Sequence, residues 1–135
     1  MAALLHFPVK RLPLRVLIAD DNRSMRTAIH RVLDDLPNIE VCAVATNGRE
    51  AVDMALTFKP DLLIVDLVMP GLSGVEVIGV LKKKLPKAKF ILFTMYEDKV
   101  GKFLTLSAGA DVVIDKSKGL SGLTEKIGAV IAEIS

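Results

Sequence analysis

Leu62 to Gly74 reads LLIVDLVMPGLSG, and this stretch decides the fold. It opens with apolar residues too continuous for a strand that shows one face to water, which suits a central parallel strand buried on both faces. The run stops at an acid, Asp66. An ionised carboxylate at the end of a buried strand is costly unless something pairs with it. Two readings stay open at this point: Asp66 caps the following loop, or it is held there for chemistry. Met69-Pro70-Gly71 forces a turn and Gly74 opens a helix, so the loop is short and fixed. Other acids and a cation at the ends of neighbouring strands would decide between the readings.

Outward from this strand, the chain alternates. RVLIAD (Arg15 to Asp20) is a first strand ending on Asp20 and Asp21. Ser24 is expected to cap a helix whose Met25, Ala28, Ile29, Val32, Leu33 and Leu36 share one face. Glu40 to Ala45 is a second strand, and the turn Thr46-Asn47-Gly48 leads into a helix over about Arg49 to Phe58, with Val52, Ala55 and Leu56 inward. Lys59-Pro60 stops it, because a residue before proline disfavours the helical region. The helix after the opening strand carries Val77, Ile78, Leu81 and Leu85.

KFILF (Lys89 to Phe93) is a fourth strand, ending at Thr94. A weaker helix over Asp98 to Ser107 is expected next, with Gly109 as its stop. Val112 to Ile114 is a short fifth strand before Asp115-Lys116, and Leu120 to Ile134 has the spacing of a final helix. Five strands alternating with five helices is the doubly wound α/β pattern, a parallel sheet with helices on both faces.

Composition agrees. The 135 residues are enough for one domain with a core that needs no staples. Hydrophobic residues make up 51% of the chain and mean hydropathy is +0.44, both natural where a sheet is covered on two sides. No apolar run reaches the roughly 18 residues that span a bilayer, and residues 1–13 are too short and too broken by Pro8, Lys10, Arg11 and Pro13 for a signal peptide. They are expected to be a flexible leader, with 14–135 the folded domain. The single Cys42, expected to be a buried strand residue, allows no internal disulfide, which fits a reducing cytoplasm. A net charge of +2 is too weak to argue for nucleic acid. Lys82, Lys83, Lys84, Lys87 and Lys89 form a basic run expected to be a solvated helix end, and His6 and His30 lack metal-ligand spacing.

In a doubly wound fold, ligands bind at the carboxyl ends of the strands. Four of the five expected strands end in Asp20-Asp21, Asp66, Thr94 and Lys116. Crowded carboxylates repel, each pair by about 4 kcal/mol at 4 Å and an effective dielectric near 20. A hard divalent cation relieves this, and an oxygen-rich donor set favours Mg²⁺. A carboxylate between Mg²⁺ and an ammonium is a receiving site for a phosphoryl group, its oxygen attacking phosphorus while the cations stabilise the equatorial oxygens. Thr94 could donate its hydroxyl to one of them. Singly, Thr94 and Lys116 are unremarkable as a strand-end hydroxyl and a surface lysine; jointly with the acids they point to this chemistry.

LIADDN, TNGREAV, KPDLLIVDLVMPGLSG, FILFT and GADVVIDK together make the chain resemble the receiver domain of bacterial two-component response regulators, over about Leu14 to Ile134. The resemblance implies a flavodoxin-like strand order 2-1-3-4-5. It makes Asp66 the phosphoacceptor, Thr94 the switch hydroxyl and Lys116 the phosphate-binding lysine. Asp21 becomes a direct Mg²⁺ ligand, Asp20 one acting through water, and Val68 a donor of its backbone carbonyl. Val113 stands where the family usually has an aromatic ring, and Ser117 where it usually has proline. The serine and FTMYED are similar to the branch whose transcription factors carry a LuxR-type DNA-binding domain. Output is then expected to rest on Thr94 and the backbone through Met95, Tyr96 and Glu97.

The implied function is a cytoplasmic phosphoacceptor switch rather than an enzyme in the usual sense, since its phosphotransfer and dephosphorylation are self-catalysed. A histidine kinase or phosphotransfer protein would be the donor and a downstream protein the reader. A phosphorylation-dependent dimer is a further expectation, and neither membrane nor nucleic acid is contacted by this chain, in which no effector domain is expected. The alternatives are the receiver fragment of a DNA-binding regulator and a phosphatase of the haloacid dehalogenase type. The second needs a D-x-D pattern after the first strand, which Asp20-Asp21-Asn22 does not match.

Overall fold

A computed structural model describes residues 13–95 and 109–134. The expected fourth helix, Tyr96, Glu97 and all but the last residue of the expected leader lie outside the described residues. In chain order the elements are β1 (Leu14–Ala19), α1 (Arg23–Asp34), β2 (Ile39–Ala45), α2 (Gly48–Phe58), β3 (Leu62–Asp66), α3 (Gly74–Lys84), β4 (Lys89–Thr94), β5 (Val112–Asp115) and α4 (Ser121–Ile134), with a 3₁₀ turn at Lys116–Lys118. The strands form one parallel sheet in the order β2-β1-β3-β4-β5. This is the doubly wound, flavodoxin-like fold expected from the alternation and the resemblance.

Strand β3 is the centre of the sheet, and every residue in it is buried. Its side chains alternate between two cores. Leu63 and Val65 join Ala51 and Ala55 of α2 and Val77, Ile78 and Leu81 of α3 on one face. Leu62 and Ile64 join Ile29 and Leu33 of α1 and Leu123, Ile127 and Val130 of α4 on the other. Each fully buried aliphatic side chain contributes about 1.5–3 kcal/mol. Together these four outweigh the several kcal/mol that placing a charge at the end of the strand costs.

Local chemistry departs from expectation at three places. Asn22, not Ser24, caps α1: its side-chain oxygen accepts from the Met25 N–H, which starts the helix two residues earlier and brings it closer to the acids. Cys42 is half-buried, because the β1–β2 register shifts at this point and leaves it opposite no residue of β1. Such a bulge turns successive side chains away from strict alternation. Leu56, expected inward, is exposed, while Ala51 and Ala55 of α2, one turn apart, are buried.

The loop after β3 is fixed by close backbone approaches. Gly71 sits at φ 80, the left-handed value that glycine supplies after proline in a tight turn. A Cβ on Gly74 would lie 2.3 Å from the Asp66 carbonyl oxygen, and one on Gly48 would lie 2.1 Å from that of Leu72. The Gly74 N–H donates to the Leu67 carbonyl at 2.8 Å, closing the loop. Glycine is therefore required where α3 begins, because the Asp66 backbone, with the Leu92 side chain at 2.8 Å, leaves no room for a Cβ. Gly74→Ala is expected to lose roughly 1–3 kcal/mol in urea denaturation. Gly79→Ala, in the same helix with nothing within 4 Å of the added carbon, is expected to gain about 0.5–1 kcal/mol.

Candidate functional site

Register brings the polar strand ends together. Ala19 of β1 pairs with Val65 of β3, so Asp20 stands beside Asp66. Asp66 pairs with Phe93 of β4, and Thr94 with Asp115 of β5, so Thr94 and Lys116 follow at the same edge. Asp20, Asp21, Asp66, Val68, Thr94 and Lys116 all line one cleft, together with Asn22 and Met95. Every site residue expected from the sequence is thus brought to one place.

At the centre of this cleft is a lysine. The Lys116 Nζ donates to Asp20 Oδ2 at 2.7 Å and lies 3.2 Å from Asp66 Oδ1. The Lys116 side chain is only 6% exposed and that of Asp20 1%. Lys116 is no surface lysine but the counter-ion of two buried carboxylates. Its Nζ also lies 5.6 Å from the centre of the Phe93 ring, within the range in which an aromatic face attracts a cation. Thr94 is buried between them, on the strand that separates β3 from β5.

The β1–α1 loop is held by its own main chain. Asp20 Oδ1 accepts from the Asn22 N–H at 2.8 Å, so with Lys116 both carboxylate oxygens are engaged. Arg26, one turn into α1, donates from Nη1 to the Asp20 carbonyl at 2.9 Å. No motif singles out Arg26 in the sequence; its signal there is a cation one turn into a helix that follows an acidic pair. Asp21 is exposed at the mouth of the cleft.

Burial first, and the Asp20 charge second, push the Asp66 carboxyl up to about 6. The Lys116 ammonium and the Val68 main-chain N–H pull the other way but do not cancel the rise. One oxygen from each of Asp20, Asp21 and Asp66 lies within 4.8 Å of the others. Three carboxylates against one ammonium leave an uncompensated negative charge on an all-oxygen donor set. These residues fit a hard divalent cation.

The raised pKa has a signed consequence for stability in metal-free buffer. The native protein holds the Asp66 proton more tightly than the unfolded chain, so stability falls as pH rises from about 4 to about 6, and above that the full penalty is present. Asp66→Asn is expected to unfold at higher urea than the wild type at pH 7.5. The gain should be roughly 1–2 kcal/mol, allowing for the solvent-open side of the cleft. The gap should close below pH 4, where the wild-type carboxyl is neutral in both states.

Comparison with known proteins points the same way. Residues 16–128 match the model of the response regulator receiver domain. The chain is 33% identical over 116 residues to the response regulator protein VraR of Staphylococcus saprophyticus, covering 86% of this chain and 56% of that protein. It is 34% identical over 119 residues to the response regulator GacA of Pseudomonas viridiflava, covering 88% and 56%. The chain therefore spans about half the length of these curated relatives. Among solved structures, the response regulator domain of Thermotoga maritima CheB superposes with a TM-score of 0.75 at 30% identity, over 90% of this chain and 92% of that one. A two-component response regulator of the LuxR family from an Aurantimonas species superposes at 0.83 and 27% identity, over 88% and 85%.

Proposed function

Because the chain belongs to the family of response regulator receiver domains, we propose that it is a phosphoacceptor switch in which Asp66 takes a phosphoryl group from a histidine kinase or phosphotransfer protein. The observation that carries this reading is the buried Lys116 ammonium between Asp20 and Asp66. In the transfer an Asp66 oxygen forms a bond to phosphorus as the bond from phosphorus to the donor imidazole nitrogen breaks, its electron pair leaving with the imidazole. Lys116 donates to a phosphoryl oxygen, and the Thr94 hydroxyl to another. The small Val113 of β5 has few rotamers to switch between. Asp20, Asp21 and Asp66, with the Val68 carbonyl, would hold Mg²⁺. When bound, the ion offsets carboxylate repulsion and the charge on the phosphoryl oxygens.

The domain proper is taken as 14–135, after a leader at 1–13. A downstream protein, or a second copy of the domain, reads the phosphorylated surface. A cytoplasmic location is proposed; no helix among the described residues is long and apolar enough to cross a membrane. A second reading, the receiver part of a DNA-binding regulator, is favoured by the greater length of the matching relatives. The complete gene's length decides it.

Incubation with acetyl phosphate and Mg²⁺ is expected to add one phosphate to the intact mass, and Asp66→Asn is expected to abolish it. An adduct that persists in the variant refutes the assignment. For the metal, both oxygens of Asp20 are already engaged while Asp21 faces the cleft mouth. Calorimetric titration should accordingly show Asp20→Ala weakening Mg²⁺ binding by about 10–100-fold, as for a residue acting through water, and Asp21→Ala weakening it more.

A further inference from the structure

Lys116 reaches the two carboxylates from the turn that follows β5, the edge strand of the sheet, two positions away from β3. A lysine carries about 2 kcal/mol of side-chain rotamer entropy, and the last residues of an edge strand have neighbours on one side only. Something must hold the main chain at Lys116. Directly before it, Asp115 Oδ1 accepts from the Ser117 N–H at 2.8 Å and from the Ser117 hydroxyl at 2.7 Å. These two bonds bend residues 116–118 into a 3₁₀ turn, which closes with the Gly119 N–H donating to the Lys116 carbonyl at 3.1 Å. Gly119 continues at φ 81, a value that favours glycine.

We propose that Asp115 is a positioning residue for Lys116: its carboxylate, clamped on Ser117, fixes the turn from which the ammonium reaches Asp20 and Asp66. A proline following the lysine would fix its own φ by its ring and would have no N–H. Ser117 replaces that covalent constraint with two hydrogen bonds, both of which end on Asp115. The Asp-x-Ser spacing is what an aspartate needs to bond its own backbone two residues on. The inference rests on Lys116 being the phosphoryl-binding ammonium, and it reaches one residue further back, to what places that ammonium.

Full-length Asp115→Ala, Asp115→Asn and Ser117→Ala variants, each also combined with Lys116→Ala, test it. Two readouts are needed: the ¹⁵N resonance of the Lys116 ammonium in metal-free protein, and the rate of phosphate adduct formation from acetyl phosphate with Mg²⁺. Asp115→Ala is expected to shift the Lys116 resonance toward that of a solvated lysine and slow adduct formation by about 10-fold. Asp115→Asn, whose side-chain oxygen still accepts from both donors, is expected to restore both. In the Lys116→Ala background Asp115→Ala should cost nothing further, since a residue acting through another cannot add to its loss. An equal slowing in that background, or an unmoved Lys116 resonance, overturns the proposal and leaves Asp115 a turn cap. If Asp115→Ala does not fold, Ser117→Ala takes its place: a partial shift of the resonance supports the proposal and none refutes it. If the wild type forms no adduct, the phosphoacceptor reading fails, and the Lys116 resonance still decides the role of Asp115.

Discussion

The ion pairs of Lys116 with Asp20 and Asp66 are the constraint on which the rest of this structure depends. Removing Lys116 would leave two buried carboxylates uncompensated and cost several kcal/mol, whereas neutralising Asp66 still leaves the ammonium paired with Asp20. The three groups come from β1, β3 and the turn after β5, so none can meet unless the whole sheet forms in register. The two cores supply the free energy for that, because the four aliphatic residues of β3 are buried on both faces. Charge placement at the strand ends is thus secured by apolar burial behind them.

The site is not arranged for maximal stability. Burial and the neighbouring Asp20 raise the Asp66 pKa although Lys116 lies close by. An apolar or amide residue there would relieve the repulsion, as is common where function and stability compete. The tension has a use. A cluster short of positive charge favours a divalent cation. The backbone around it is fixed by the close approaches at Gly74 and Gly48, by the Asn22 N–H on Asp20 and by Arg26 on the Asp20 carbonyl. Pre-set donors of this kind stabilise developing charge without reorganising.

Much of this was legible in the sequence because the signals were local or periodic. Continuous apolar runs marked β3 and β4, Pro60 and Gly74 marked helix boundaries, and acids at strand ends marked the cleft. Where several residue types suit one position, the sequence alone does not choose between them. Asn22 and Ser24 both suit a helix cap, and only the chain's entry into α1 selects Asn22. Leu56 suits an inward position on α2 by its apolar character, but the face that packs beside Ala43 and Ala45 carries Ala51 and Ala55 instead.

Strand type and the placing of polar residues at the strand ends were therefore legible in the sequence itself, since periodicity and punctuation act over a few residues, while strand order came from the family resemblance. Tertiary structure alone decided how the charges are paired. Ninety-six positions separate Asp20 from Lys116, and their 2.7 Å contact depends on the register of four strands at once. It also decided that Cys42 falls on a bulge, that Arg26 ties down the Asp20 carbonyl, and that Asp115 closes on Ser117. Hydrogen-bond partners follow from angles and distances in three dimensions, which residue identity along the chain does not encode until the sheet has brought the strand ends together.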